Sequence, residues 1–138
     1  MLRFWSLVFP HYQLPITNYQ PTRQYKYSRE HDISDESMGR VWLIQYQSQA
    51  IGYVILTFGY SLEYGGRDAF IDELYIEPAY QGQGIGKQTI KFLEEVCISL
   101  NVQALHLEVE KQNTSAQSFY RQVGFEDHDR YLMTKYLN

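Results

Sequence analysis

LYIEPAYQGQGIGKQTIKFLEEV, residues 74–96, runs from an apolar stretch through a proline to glycines at 82, 84 and 86, then into a helical pattern. A glycine inside a regular element costs about 1 kcal/mol relative to alanine, so three on alternate positions need a reason. Upstream, Glu77-Pro78 ends a strand, because proline lacks a backbone donor and restricts the residue before it. Downstream, Ile85, Ile90, Leu93, Val96, Cys97 and Leu100 recur near helical spacing, with Lys87, Lys91, Glu94 and Glu95 mostly on the other side. A glycine loop between a strand and a helix is an anion site, since free N–H groups and the positive end of the helix dipole converge there. Without side chains in the way, a phosphate can approach the main chain. Gln81 and Lys87 flank the loop and favour a phosphate-bearing ligand over a plain tight turn.

The flanking segments give the rest of the fold. VWLIQYQ (41–47) and AIGYVILTFGYSLEY (50–64) are rich in β-branched and aromatic residues, with a short connection at Ser48-Gln49, and read as a hairpin whose second strand bends. Gly65-Gly66 supplies a second tight turn, and RDAFIDELYI (67–76) is a third antiparallel strand. After the helix, Asn101 is a stop signal, ALHLEVE (104–110) alternates as a strand, and TSAQSFYRQV (114–123) is a shorter helix closed by Gly124. RYLMTKYL (130–137) reads as a last strand. The class is α/β, an α+β mixed sheet: an antiparallel β-meander, then β–loop–α–β and α–β. Strands 67–76 and 104–110 are expected to be parallel neighbours across a right-handed crossover. One domain spans 1–138, with a readable core at 40–137 and an atypical segment at 1–39. In that segment LRFWSLVF can supply a strand and 28–38 a marginal helix, while prolines at 10, 15 and 21 break any period between them.

Composition removes several function classes. The net charge of −4 leaves no basic stripe for nucleic acid. A single cysteine, Cys97, excludes a disulfide framework, and His11, His31, His106 and His128 are too scattered for a metal cluster, so no metal is expected. The apolar run FWSLVF is shorter than a signal-peptide core of roughly 7–15 residues, and nothing approaches a membrane span. A cytoplasmic protein without a membrane partner is expected. The aromatic run itself, if exposed, favours self-association as a homodimer.

The glycine spacing fits neither of two common nucleotide loops. A dinucleotide fingerprint wants glycine where Lys87 stands, and a Walker loop wants Ser or Thr where Gln88 stands. Gln81-x-x-Gly84-x-Gly86 at the head of a helix, after LYIEP, resembles instead the [RQ]-x-x-G-x-[GA] signature of the GNAT superfamily of acetyl-CoA-dependent N-acetyltransferases. LHLEVEKQNTSAQSFYRQVGF (105–125) resembles that family's second conserved stretch. The likeness covers roughly residues 40–137, at the family's separation and strand order.

The resemblance implies a site. Main-chain N–H groups of Gly82, Gln83, Gly84, Ile85, Gly86 and Lys87, with Gln81, would hold the coenzyme A pyrophosphate. Leu74, Tyr75 and Ile76 would pair with the pantetheine arm, Asn113 would contact the cofactor, and Tyr120 would sit beside its sulfur. The strands at 67–76 and 104–110 would splay to admit the arm. A strand edge with unpaired N–H and C=O groups otherwise invites aggregation, so an amide chain is a sensible occupant.

The chemistry needs a base, an oxyanion donor and a proton for the leaving thiolate. An amine is mostly protonated at neutral pH, and of the candidate bases Asp72 is favoured, as the one that shares a face with Leu74, with Glu73 second. Adjacent strand residues face opposite ways, so an unbroken pleat puts Asp72 on the face of Leu74 and Glu73 on the other; a bulge would change those roles. A main-chain N–H near 74–76 would serve the oxyanion, and Tyr120 the thiolate. Cys97 reads as core, and His106 as structural, without a visible partner. The acceptor implied is a primary amine. Glu63, Asp68, Asp72 and Glu73 around the hairpin favour a small, cationic one. Two other classes compete: a non-catalytic acyl-CoA-binding or regulatory module of the same fold, and a dinucleotide binder using Glu108 or Glu110 for the ribose.

Overall fold

Valine, isoleucine and aromatic residues dominate 41–56, and they form strands buried on both sides, reading as a near-continuous apolar run. The computed structural model describes residues 2–6 (main chain only), 36–47 and 49–137. Its elements are β1 (Leu2–Ser6), β2 (Gly39–Tyr46), β3 (Gln49–Ser61), β4 (Gly66–Ile76), a 3-10 turn (Pro78–Tyr80), α1 (Ile85–Ser99), β5 (Ala104–Leu107) and α2 (Thr114–Gln122). Met1–Leu107 and Glu108–Asn138 are two compact units.

The first unit holds one sheet in the order β1-β2-β3-β4-β5. Strands β1 to β4 pair antiparallel, and β5 joins β4 in parallel, as the crossover through α1 demands. The turns fall near those expected but not on the same residues. Gln47 takes a φ of 48° while Gln49 already belongs to β3. Gly65, at 74°, closes the turn at 62–65 with its N–H on Leu62 O while Gly66 begins β4.

The two sheet faces carry different clusters. Toward α1, Ile44, Ile51 and Ile85 form a buried cluster with Tyr46, Leu74, Ile76 and Tyr80 against it. Trp42 meets Phe92 of α1 edge-on at 5.4 Å between ring centroids. On the opposite face, here the outer face, Val41, Leu43, Tyr53 and Ile55 cluster with Tyr75. Helix α1 buries Ile85, Thr89, Ile90, Leu93 and Cys97, close to the stripe read from its spacing. Thr89 satisfies its buried hydroxyl by donating to Ile85 O at 2.8 Å. Burial, with Glu94 adding repulsion, pushes the Cys97 thiol up, which suits a core residue and not a nucleophile.

Two bulges set the phase of the sheet. Ile51 is an extra residue of β3 opposite β2, and Asp72 is an extra residue of β4 opposite β3, where Ile55 pairs with Glu73 but Leu56 with Ile71. Near the first bulge the backbones come very close. A Cβ built on Gly52 would lie 2.2 Å from Tyr75 O, an atom of the main chain that cannot step aside. Gly52→Ala should therefore lower stability by about 1–3 kcal/mol, the range of an overpacked site, read as a fall in Tm. An unchanged Tm would mean that β4 can shift here at no cost.

Three sequence expectations need correction. Strand β5 ends at Leu107, with 108–110 outside any strand. Residues 130–137 form no strand, and Tyr131, Leu132, Met133, Tyr136 and Leu137 are exposed. Alternation specifies faces but cannot supply the neighbouring ladder that makes a strand. Glu36, Ser37 and Met38 form a turn; the rest of the helix expected at 28–38, like the proline-rich stretch before it, lies outside the described residues.

Candidate active site

The segment from β4 to α1 carries most of the expected cofactor residues. Gly82 and Gly84 have φ of 75° and 79°, the left-handed region that ordinary residues avoid. Gly84 is the N-cap of α1, and the first helical bond runs from Gln88 N–H to Gly84 O at 3.1 Å. The N–H groups of Ile85, Gly86 and Lys87 thus precede the ladder and are available to an anion. A Cβ on Gly84 would meet nothing within 4 Å, so the space beside this main chain is open. Ile85 differs from its neighbours, because its side chain is buried and anchors the loop to the sheet. The glutamines brace the turn: Gln81 Nε2 donates to Ile76 O at 2.9 Å and Gln83 Nε2 to Ala79 O at 3.3 Å.

Strand β4 offers the open edge expected for a splayed pair. Its parallel ladder with β5 covers 68–71, from Asp68–Ala104 to Ile71–Leu107. Beyond that, Leu74, Tyr75 and Ile76 pair with β3 on one side. Among the described residues of this unit, no strand pairs with them on the other.

The bulge corrects the placing of the carboxylates. Ile71 lies opposite Leu56 on the α1 face and Leu74 packs toward Ile85, so both point at α1. Glu73 lies on the outer face, opposite Leu74 as expected. Its Oε1 accepts a hydrogen bond from the Tyr53 hydroxyl at 2.8 Å. Asp72, expected on the face of Leu74, is the inserted residue; counted from Ile71, the pleat turns it outward too. It is exposed. Both carboxylates therefore stand on the outer face.

His106 has the partner that the sequence concealed. Its Nε2 is 3.4 Å from Asp68 Oδ2, and its ring lies between Tyr64 and Phe70 at centroid distances of 4.8 and 5.0 Å. Held on several sides, it supports the structural reading. Tyr53 was not singled out from sequence; only knowledge of the bulge links it to Glu73.

The second unit carries Asn113 and Tyr120. Asn113 caps α2, accepting from Ala116 N–H at 3.1 Å, a role legible in N-T-S-A. Tyr120 packs with Phe119 and Phe125 at 5.1 and 5.6 Å, and burial pushes its hydroxyl above the usual 10.0. Arg121 forms a two-pronged pair with Asp127 at 2.8 and 2.6 Å; that hydrogen bond holds the exposed Asp127 carboxyl below its usual value. Among the described residues no group of His, Cys, Asp and Glu could hold a metal ion, and no helix is long and apolar enough to cross a membrane.

A sequence model of the acetyltransferase (GNAT) family matches residues 4–125. Thialysine N-epsilon-acetyltransferase of Bos taurus is 35% identical over 77 residues, covering 56% of this chain and 45% of that protein. A peptidyl-lysine N-acetyltransferase of Salmonella typhimurium is 32% identical over 79 residues, covering 57% and 44%. The chain thus spans about half the length of such curated relatives. Among solved structures, an integron cassette protein from the mobile metagenome of Cole Harbour Salt Marsh has a TM-score of 0.65 at 33% identity, covering 74% of this chain and 62% of that one. The aminoglycoside N-acetyltransferase AAC(6')-Iy in complex with CoA has a TM-score of 0.67 at 16% identity, covering 77% and 81%, a likeness of fold.

Proposed function

Because the chain belongs to the acetyltransferase (GNAT) family, we propose that it moves the acetyl group of acetyl-CoA directly to a primary amine, and that residues 1–138 act as one catalytic domain. The observation that carries this reading is the continuous segment 72–88. It pairs an open strand edge, suited to an amide-bearing arm, with a Gly84-capped helix N-terminus, suited to a pyrophosphate.

Acetyl-CoA supplies the thioester acyl group; the chain's residues do the rest. Main-chain groups of Leu74, Tyr75 and Ile76 align the arm, and an N–H there receives the developing oxyanion. The base is Glu73: its carboxylate stands fixed on the outer face and takes a proton from the incoming ammonium, directly or through water. Exposed Asp72 attracts the cation. The Tyr120 hydroxyl gives its proton to the departing thiolate, and Asn113 helps to hold the cofactor. A small, cationic acceptor is favoured by Asp72 and Glu73 on β4. It agrees with relatives named for thialysine and for spermidine and spermine.

The test is release of free thiol from acetyl-CoA with a panel of amines. Turnover with diamines, polyamines or aminoglycosides is the expected result. Binding of CoA without thiol release for any amine would leave the non-catalytic acyl-CoA-binding module. A pH–rate profile then assigns the base. Glu73→Gln should lower kcat/KM at neutral pH by roughly 100-fold, and the loss should shrink as rising pH supplies free amine. Asp72→Asn should act mainly on KM. If both profiles superpose on that of the unmutated enzyme, neither carboxylate is the base.

A further inference from the structure

We infer that Tyr53 is the positioning residue for the Glu73 carboxylate, an inference that rests on the acetyltransferase reading above. Tyr53 is only 3% exposed, in the outer-face cluster with Val41, Leu43 and Ile55. Its ring lies 5.6 Å from that of Tyr75 at an interplanar angle of 33°, so packing fixes where its polar tip points. A buried tyrosine hydroxyl needs a partner, and here the partner is Glu73 Oε1 at 2.8 Å.

The pairing exists because of the bulge. In an unbroken pleat residue 73 would share the α1 face with Ile71, against Ile44, Ile51 and Ile85. Asp72 reverses the phase and turns Glu73 to the outer face. The bulge chooses the face, and Tyr53 fixes the carboxylate on it. With Oε1 held by that donor, the carboxylate is kept in one orientation on this face. A hydrogen bond to an ionised group is stronger than a neutral one and holds geometry as well as charge.

A tyrosine that only filled the core would contribute through its ring, which phenylalanine reproduces. Tyr53→Phe should therefore separate the two roles. Expected is a fall in kcat of roughly 10–100-fold, the worth of a hydrogen bond to a charged group, with the CoA-induced rise in Tm retained. In the Glu73→Gln background, Tyr53→Phe should add little, less than about threefold, since the carboxylate it holds is gone. Glu73→Asp keeps the charge but withdraws it by one methylene from Tyr53 and should also be slow. Turnover in Tyr53→Phe equal to that of the unmutated enzyme, or full turnover in Glu73→Asp, overturns the inference while leaving the acetyltransferase reading intact. Full turnover in Glu73→Gln instead overturns the base assignment beneath it.

Discussion

Gly84→Val should abolish the rise in Tm that acetyl-CoA gives the unmutated protein. A ligand at about 100 times its Kd stabilises a fold by about 2.7 kcal/mol, on the order of 10 °C for a domain of this size. NAD and ATP should give smaller rises. Valine harms in two ways that can be separated. A φ of 79° costs a residue with a Cβ about 1–2 kcal/mol, which lowers Tm without ligand. The side chain also fills space that the protein leaves open, since a Cβ here touches no other atom of the chain within 4 Å. The first effect appears in the apo protein; the second appears only as the lost ligand shift. Gly84→Ala, with the same strain but less bulk, should retain part of the shift. An unchanged shift in Gly84→Val would remove the loop from the cofactor site.

Tyr120→Phe should bind CoA normally and turn over on the order of 10²–10⁴-fold more slowly, the range of a general acid. The ring contacts with Phe119 and Phe125 survive the change, so α2 should hold its packing. Burial raises the Tyr120 value above 10.0, which means that the neutral phenol is the favoured form at neutral pH. The hydroxyl thus keeps its proton at neutral pH, as the proposed donor must. The same sign makes its contribution to stability complete below pH 10 and lost as pH rises through the elevated folded value. Unmutated turnover in Tyr120→Phe would return it to a packing role.

Much of the fold was legible because it depends on signals of short range. Gly65, Pro78, the glycines before α1 and the apolar stripe of α1 each announce a turn, a stop or a face within a few residues. The glycine loop was legible for the same reason. The orientation of the carboxylates was not. Alternation counted from Leu74 puts Asp72 beside it, and nothing local in F-I-D-E-L reveals that one residue is extra relative to β3. The partner of His106 was hidden likewise, since Asp68 and His106 meet across a parallel pair whose strands are separated by α1. At 130–137 the error ran the other way: the pattern was strand-like, but a pattern cannot provide the ladder.

The sheet also carries an order of assembly. Strands β2, β3 and β4 join through turns of a few residues, so their contacts are local in the chain and need little loop closure. The β4–β5 ladder is different: Asp68 meets Ala104 only after the whole of α1 has been traversed, and four register pairs carry it. Non-local pairings wait on closure of their loop, so this ladder should form late, as should β1–β2, where Ser6 meets Trp42 and Leu2 meets Tyr46. The β4–β5 ladder ends before the edge at 74–76, so the edge proposed to take the pantetheine arm is bounded only when a late part of the sheet has formed.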